Sequence, residues 1–241
     1  MQKTYWVMAI LFIVFFPSCI RHVVIGRGKA TTKTLQLSNF NQLDISASLH
    51  ANVTVKEGEA FSVSLSGYEN IVNEIKSEIK DSTLRVFTED DLDLGLKNNT
   101  ELVITMPALR NLSLSGAPDI DVHGYIHASD FNIDLSGAGN INIDSFSVNN
   151  FTADLSGAAK LKISGAAATN GNIDISGAGA VNAFGLHCDS ATVDISGAGK
   201  CDIYAVKLLQ ANISGIGKIS YKGYPQLVKD ITGAGTLANA N

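Results

Sequence analysis

Residues 132–143 read Asn-Ile-Asp-Leu-Ser-Gly-Ala-Gly-Asn-Ile-Asn-Ile, and the pattern returns repeatedly in the C-terminal half of a 241-residue chain. Its centre appears as SGAPDI from Ser115, SGAGNI from Ser136, SGAAKL from Ser156 and SGAGAV from Ser176. SGAGKC from Ser196, SGIGKI from Ser214 and TGAGTL from Thr232 complete the series. Successive intervals are 21, 20, 20, 20, 18 and 18 residues. So constant a period means stacking, because a unit this short buries its apolar side only against its neighbours.

The flanks of the motif say how the units stack. Before each Ser, polar and apolar residues alternate, as in Thr152-Ala153-Asp154-Leu155 and Asn172-Ile173-Asp174-Ile175. Period two puts Ile133, Ile173 and Val193 on one side of a strand and the aspartates on the other. Beyond the motif the alternation resumes in Ile141-Asn142-Ile143, Leu161-Lys162-Ile163 and Cys201-Asp202-Ile203. Each repeat is a strand, a tight corner, a second strand and a more variable return. A corner this sharp demands φ > 0, which glycine adopts without steric cost. Gly137, Gly157, Gly177, Gly197, Gly215 and Gly233 are the expected structural turn residues. Rungs about 4.8 Å apart would make a rod of roughly 30–35 Å. The fold class is all-β: a right-handed parallel β-solenoid, or β-helix, over residues 111–238.

Working outward, residues 34–110 read as a β-rich N-terminal part of the same domain. Short strands are expected around Leu43–Ile45, Val53–Val55, Phe61–Leu65, Leu84–Val86 and Leu102–Ile104. One short helix is expected near 70–80, where Ile71, Val72, Ile75 and Ile79 make an apolar stripe. Asp90 to Lys97 reads as an acidic turn or hairpin tip.

The first residues set the compartment. Lys3 precedes an apolar run from Val7 to Phe16. That run is too short for a membrane span, which needs about 20 residues, and it suits a signal peptide. It ends in Phe16-Pro17-Ser18-Cys19, similar to the lipobox of bacterial lipoproteins. The expectation is a lipoprotein signal peptide over 1–18, lipidation at Cys19, a basic tether over 19–33 and membrane attachment through the lipid anchor. An outer-membrane location is expected, with the exterior and periplasmic faces both open. Some surface-bound lipoproteins carry acidic residues just after the Cys, whereas Ile20-Arg21-His22 follow here.

Composition narrows the partners. The formal net charge is −5, and no Arg follows Arg110, so nucleic-acid binding is not expected. Cys188 and Cys201 read as small buried hydrophobes, with a single bridge between them left open.

The repeated SGAG-type corners after alternating strands, behind a β-rich segment with one helix in a lipoprotein, resemble the head GIN domain family of putative auto-transporter adhesins. The resemblance covers roughly Leu35 to Leu237. It implies a right-handed β-helix related in shape to pectin lyases, no identified catalytic residues and a role in adhesion.

Three chemistries have candidate residues in the sequence. Asp134, Asp154, Asp174, Asp194 and Asp230, with Asn212 between the last two, form a column. Carboxylates at rung spacing repel by about 0.9 kcal/mol per pair in water. The column reads as a solvated face, with weak metal binding the alternative. A polysaccharide lyase would need Arg or Lys bases in a groove, and the solenoid offers only the scattered Lys160, Lys162, Lys200 and Lys218. A serine hydrolase would need one nucleophile with a histidine, whereas Ser recurs at every corner and His123, His127 and His187 are isolated, as in loops. The Ser hydroxyls are expected to bond backbone groups at the turn. Tyr204, Tyr221 and Tyr224 are candidates for a contact patch or a cap on the open end.

The sequence therefore points to a non-enzymatic envelope lipoprotein without cofactors. It would present a rigid solenoid for adhesion or binding to an unknown surface ligand, protein or glycan. A periplasm-facing structural or sensing role is the alternative, a polysaccharide-active enzyme the third, and self-association into a homo-oligomer through the solenoid end is open.

Overall fold

The computed structural model describes residues 22–89, 92–94 and 99–241. The expected signal peptide and lipidated Cys19 lie outside them, as does most of the acidic turn at 90–97. Among the described residues, no helix is long and apolar enough to cross a membrane.

The chain forms β1 (His22–Val23), β2 (Ala30–Leu35), β3 (Gln42–Ser46), β4 (His50–Val55) and β5 (Ser62–Tyr68), then one helical turn, α1 (Glu69–Val72). Next come β6 (Lys76–Lys80), β7 (Thr83–Phe87), β8 (Leu92–Asp93), β9 (Glu101–Met106), β10 (Asn111–Gly116), β11 (Asp119–His127) and β12 (Asp130–Gly137). Three long wrapping strands follow: β13 (Asn140–Gly157), β14 (Lys160–Gly177) and β15 (Ala180–Gly197). Then β16 (Lys200–Gly215), β17 (Lys218–Lys222), β18 (Gln226–Gly233) and β19 (Thr236–Asn239) close the chain. The architecture is a β-solenoid, and the seven repeat corners from Ser115 to Thr232 bound six of its turns.

Each rung has three faces. In β13 the buried residues are Ile141 and Ile143, then Phe146 and Val148, then Phe151, Ala153 and Leu155. Between these groups two residues in a row point outward, and that break in the alternation turns the strand. Parallel pairing carries every inward residue onto its counterpart, so Ile133, Ala153, Ile173, Val193 and Ala211 stack in one column. Phe131, Phe146 and Phe151 pack together inside, with ring centroids 5.0–6.0 Å apart.

The corners keep the hydrogen-bond ladder unbroken. Ala178 N–H donates to Gly157 O at 2.9 Å and Ala198 N–H to Gly177 O at 2.8 Å. Gly177 shows why the residue must be glycine: its φ is +123°, and a Cβ there would lie 2.6 Å from Gly157 O.

The N-terminal part is more of the same solenoid. β3 pairs in parallel with β10, and β4 with β11, so residues 42–55 are a rung stacked directly on the first repeat. β7 and β9 form a further rung beyond it, pairing with β3 and β4. Antiparallel strands close that end: β6 on β7, β5 on β9, and β2 on β5.

Two expectations change here. The helix expected near 70–80 is a single turn, and Lys76–Lys80 is strand, because the spacing of four between Ile75 and Ile79 satisfies a period of two as well as one of 3.6. The expected tether over 19–33 is bonded to the body along its described part. Asn70 Nδ2 donates to Ile25 O at 3.0 Å, Arg27 N–H donates to Asn70 Oδ1 at 2.8 Å, and β2 begins at Ala30.

Candidate functional site

The face before the corner carries the aspartates. Register places Asp134, Asp154, Asp174 and Asp194 side by side, followed by Asn212 and Asp230. Ser113 and Asp44 extend the column toward the N-terminus, where Arg85 Nε donates to Asp44 Oδ2 at 3.2 Å. Asp44 falls outside the repeat series because Ser46-Ala47-Ser48 replaces the glycine corner. Leu43-Asp44-Ile45-Ser46 nevertheless matches Ile133-Asp134-Leu135-Ser136, and that match was the available signal.

Burial, followed by the charge of Asp154, holds the Asp134 carboxyl above the ordinary carboxylate range. Asp174 shifts the same way, through burial first and then Asp194 and Asp154, partly offset by the amide of Asn172 at 2.9 Å. Asn212 donates to Asp194 at 2.6 Å. Two shallow grooves of about 400 and 230 Å3 run along this face, lined by aspartates and the corner hydroxyls. Among the described residues no group of three or more His, Cys, Asp or Glu side chains is arranged to hold a metal ion. The carboxylates form a row with no more than one per rung, interrupted by Ser113 and Asn212.

The serines depart from expectation. Ser136, Ser156, Ser176, Ser196 and Ser214 are exposed, and their hydroxyls make no hydrogen bond among the described residues. Of the corner hydroxyls among the described residues, only that of Thr232 bonds backbone, donating to Ile213 O at 3.4 Å. The corner amides and carbonyls are already used between rungs, so the hydroxyls are left to solvent.

The face after the corner bears Asp119, Asn140, Lys160, Ala180 and Lys200 in one column and Asp121, Asn142, Lys162, Asn182 and Asp202 in the next. A groove of about 540 Å3 crosses these rungs. Lys200 pairs with Asp202 at 2.7 Å.

His127 and His187 lie on the third face and His123 at the bend that leads into it, on strands and not in loops as expected. His123 lies 3.0 Å from Asp144, and His187 stacks on Tyr204 with centroids 4.1 Å apart. The tyrosines do not make a patch: Tyr221 is turned into the core at 9% exposure, while Tyr224 stands alone at 90%. Cys188 and Cys201 are buried and unbridged. Burial pushes the Cys188 thiol up to about 12 and raises Cys201 as well.

No curated protein matches the chain. Solved structures do. A putative adhesin from Bacteroides fragilis superposes with a TM-score of 0.83 at 23% identity, covering 90% of this chain and 99% of its own. A putative lipid binding protein from Parabacteroides distasonis gives 0.73 at 18%, covering 91% and 100%. A putative adhesin from Parabacteroides merdae gives 0.72 at 18%, covering 91% and 99%. At these identities the likeness is one of fold. The model of the family described as "Putative auto-transporter adhesin, head GIN domain" matches residues 39–225, and the chain belongs to that family.

Proposed function

We propose that the chain is a non-enzymatic envelope protein, anchored through a lipid on Cys19, that presents its solenoid as a rigid surface for adhesion. The observation that carries this reading is the form of the outer faces. They are continuous across the rungs, lined by repeating Asp, Asn, Ser and Lys columns, and grooved without being enclosed. Such surfaces suit an extended partner held by many modest contacts more than a small substrate in a closed pocket. Membership of a family described as adhesins agrees with it.

Protease treatment of intact cells tests the reading, with an epitope tag placed after Asn241. Loss of the tag while the outer membrane is intact supports adhesion at the exterior. Protection until the membrane is breached removes it, and favours the periplasm-facing role that Ile20-Arg21-His22 after the Cys already suggests. Cys19→Ser should abolish incorporation of labelled fatty acid; retained label would refute the anchor.

A further inference from the structure

In the groove that follows the corner, the charges already met set the chemistry that remains. Asp119 accepts from Asn140 Nδ2 at 2.5 Å. Asp121 accepts from Asn142 Nδ2 at 2.8 Å and lies 3.5 Å from His50 Nε2. Asp202, only 9% exposed at its side chain, is paired with Lys200 at 2.7 Å. Every carboxylate lining the groove thus has a partner. The ammonium groups of Lys160 and Lys162 have none among the described residues, and both side chains are exposed. They project from one side of one strand, about 7 Å apart. Lys160, Ala180 and Lys200 are consecutive in register, so the small Ala180 leaves a step between two lysines about 9.6 Å apart. Beside that step, Asn182 is exposed and lines the groove. The groove as a whole sets three lysines against three aspartates, but Asp119 and Asp121 lie two rungs, about 9.6 Å, from Lys160 and Lys162, so the positive charge left without an ion pair is local to the Lys160–Lys162 rung.

We propose that this groove binds an anionic glycan, a polysaccharide bearing carboxylate or sulfate groups. Lys160 and Lys162 meet the anions, and the Asn182 amide, donor and acceptor at once, meets sugar hydroxyls. An acidic protein surface is the poorer fit. The groove exposes no large apolar or aromatic side chain, and protein interfaces depend on such anchors at their centre. An open trough crossing several rungs suits a chain longer than the site. The inference rests on the adhesion reading and names its ligand class.

The test is calorimetric titration of the lipid-free chain, beginning at residue 20, with polygalacturonate and heparin as probes at about 0.15 M salt, where exposed charges are well screened. Dextran is the neutral control, and polyglutamate supplies equal charge without sugar. Binding of either acidic glycan, none of dextran and about tenfold weaker binding of polyglutamate is expected. The pair Lys160→Gln with Lys162→Gln should weaken binding about tenfold at an unchanged melting temperature, and Asp154→Asn with Asp174→Asn should not weaken it. Absence of binding to both glycans, equal binding of polyglutamate, or full binding by the glutamine pair overturns the proposal. Adherence of whole cells separates the two readings. Cells that adhere through the wild-type chain and equally through the glutamine pair would sink the groove alone. Purified protein that binds glycan, on cells no more adherent than those lacking it, would sink adhesion alone.

Discussion

Gly177 and Gly165 belong to one strand but face opposite demands. Gly177 stands at φ +123° with the Gly157 carbonyl where a side chain would go, whereas a Cβ on Gly165 would meet only Asp144 O at 3.7 Å. Gly177→Val should lower stability by about 2–4 kcal/mol, adding backbone strain to a clash. Gly165→Ala should be neutral or stabilising by up to about 1 kcal/mol, because the unfolded chain loses freedom. Thermal melts of the pair check both, and equal melting temperatures would refute the corner geometry. The aspartates carry a pH dependence of definite sign. Asp134 and Asp174 hold their protons more tightly in the fold than the ordinary 3.8 of an unfolded aspartate. Stability from these groups is therefore full below pH about 3.8 and is lost as pH rises through their higher folded values. Asp174→Asn removes that loss together with two neighbouring repulsions. It should raise stability at pH 7 by under about 1 kcal/mol, less in high salt, and leave it unchanged at pH 3. A stabilisation that persists at pH 3 would assign the effect to packing.

The elements were legible wherever local pattern and stacking agreed. Alternation located β3, β4, β5, β7 and β9, and the SGAG spacing located the solenoid, because both reflect the inward–outward period of a strand. Two things were not legible, for physical reasons. The rung order at the N-terminus, with β7 and β9 outside β3 and β4, depends on pairing between segments far apart in sequence. The helix was over-extended because one isoleucine spacing fits two periods. The sequence likewise supplied the residues of the aspartate and lysine columns and the local pair Lys200–Asp202, but not that Asp119 and Asp121 are already bonded, since Asn140 and Asn142 reach them only through register. The corrected element makes its own prediction. Ile71 is fully buried against the capped end, while Ile79 on the edge strand β6 is 37% exposed. Ile71→Ala should cost about 2–4 kcal/mol and Ile79→Lys under about 0.5 kcal/mol, measured by denaturant unfolding. A continuous helix would instead make the two positions comparably costly.

At the scale of the whole molecule the two ends differ. The N-terminal end is covered by β2, β5 and β6 and by α1, whose Ile71 and Val72 are buried. At the other end, among the described residues, β18 pairs only with β16 and β19 only with β17, so their outer edges carry backbone groups with no partner there. Leu227 and Val228 there are 41% and 48% exposed. Such an edge is a template for a second copy, and self-association through it was one expectation from the sequence. Lys229 bears directly on that outcome. It pairs in register with Ala211, in the column that holds Leu43, Leu112, Ile133, Ala153, Ile173 and Val193 on earlier rungs. The terminal rung thus sets an ammonium at a core position, where stacking another rung would bury it without a partner, at a cost of several kcal/mol. An inward charge on an edge strand is a known way for β-proteins to block end-to-end growth. Lys229→Ile restores the apolar column, and it should make sedimentation shift toward dimers or longer species as concentration rises, relative to the unsubstituted chain. Lys222→Ile, outside the inward columns, should not. If Lys229→Ile sediments as the parent does at every concentration, the lysine is not what keeps that end free.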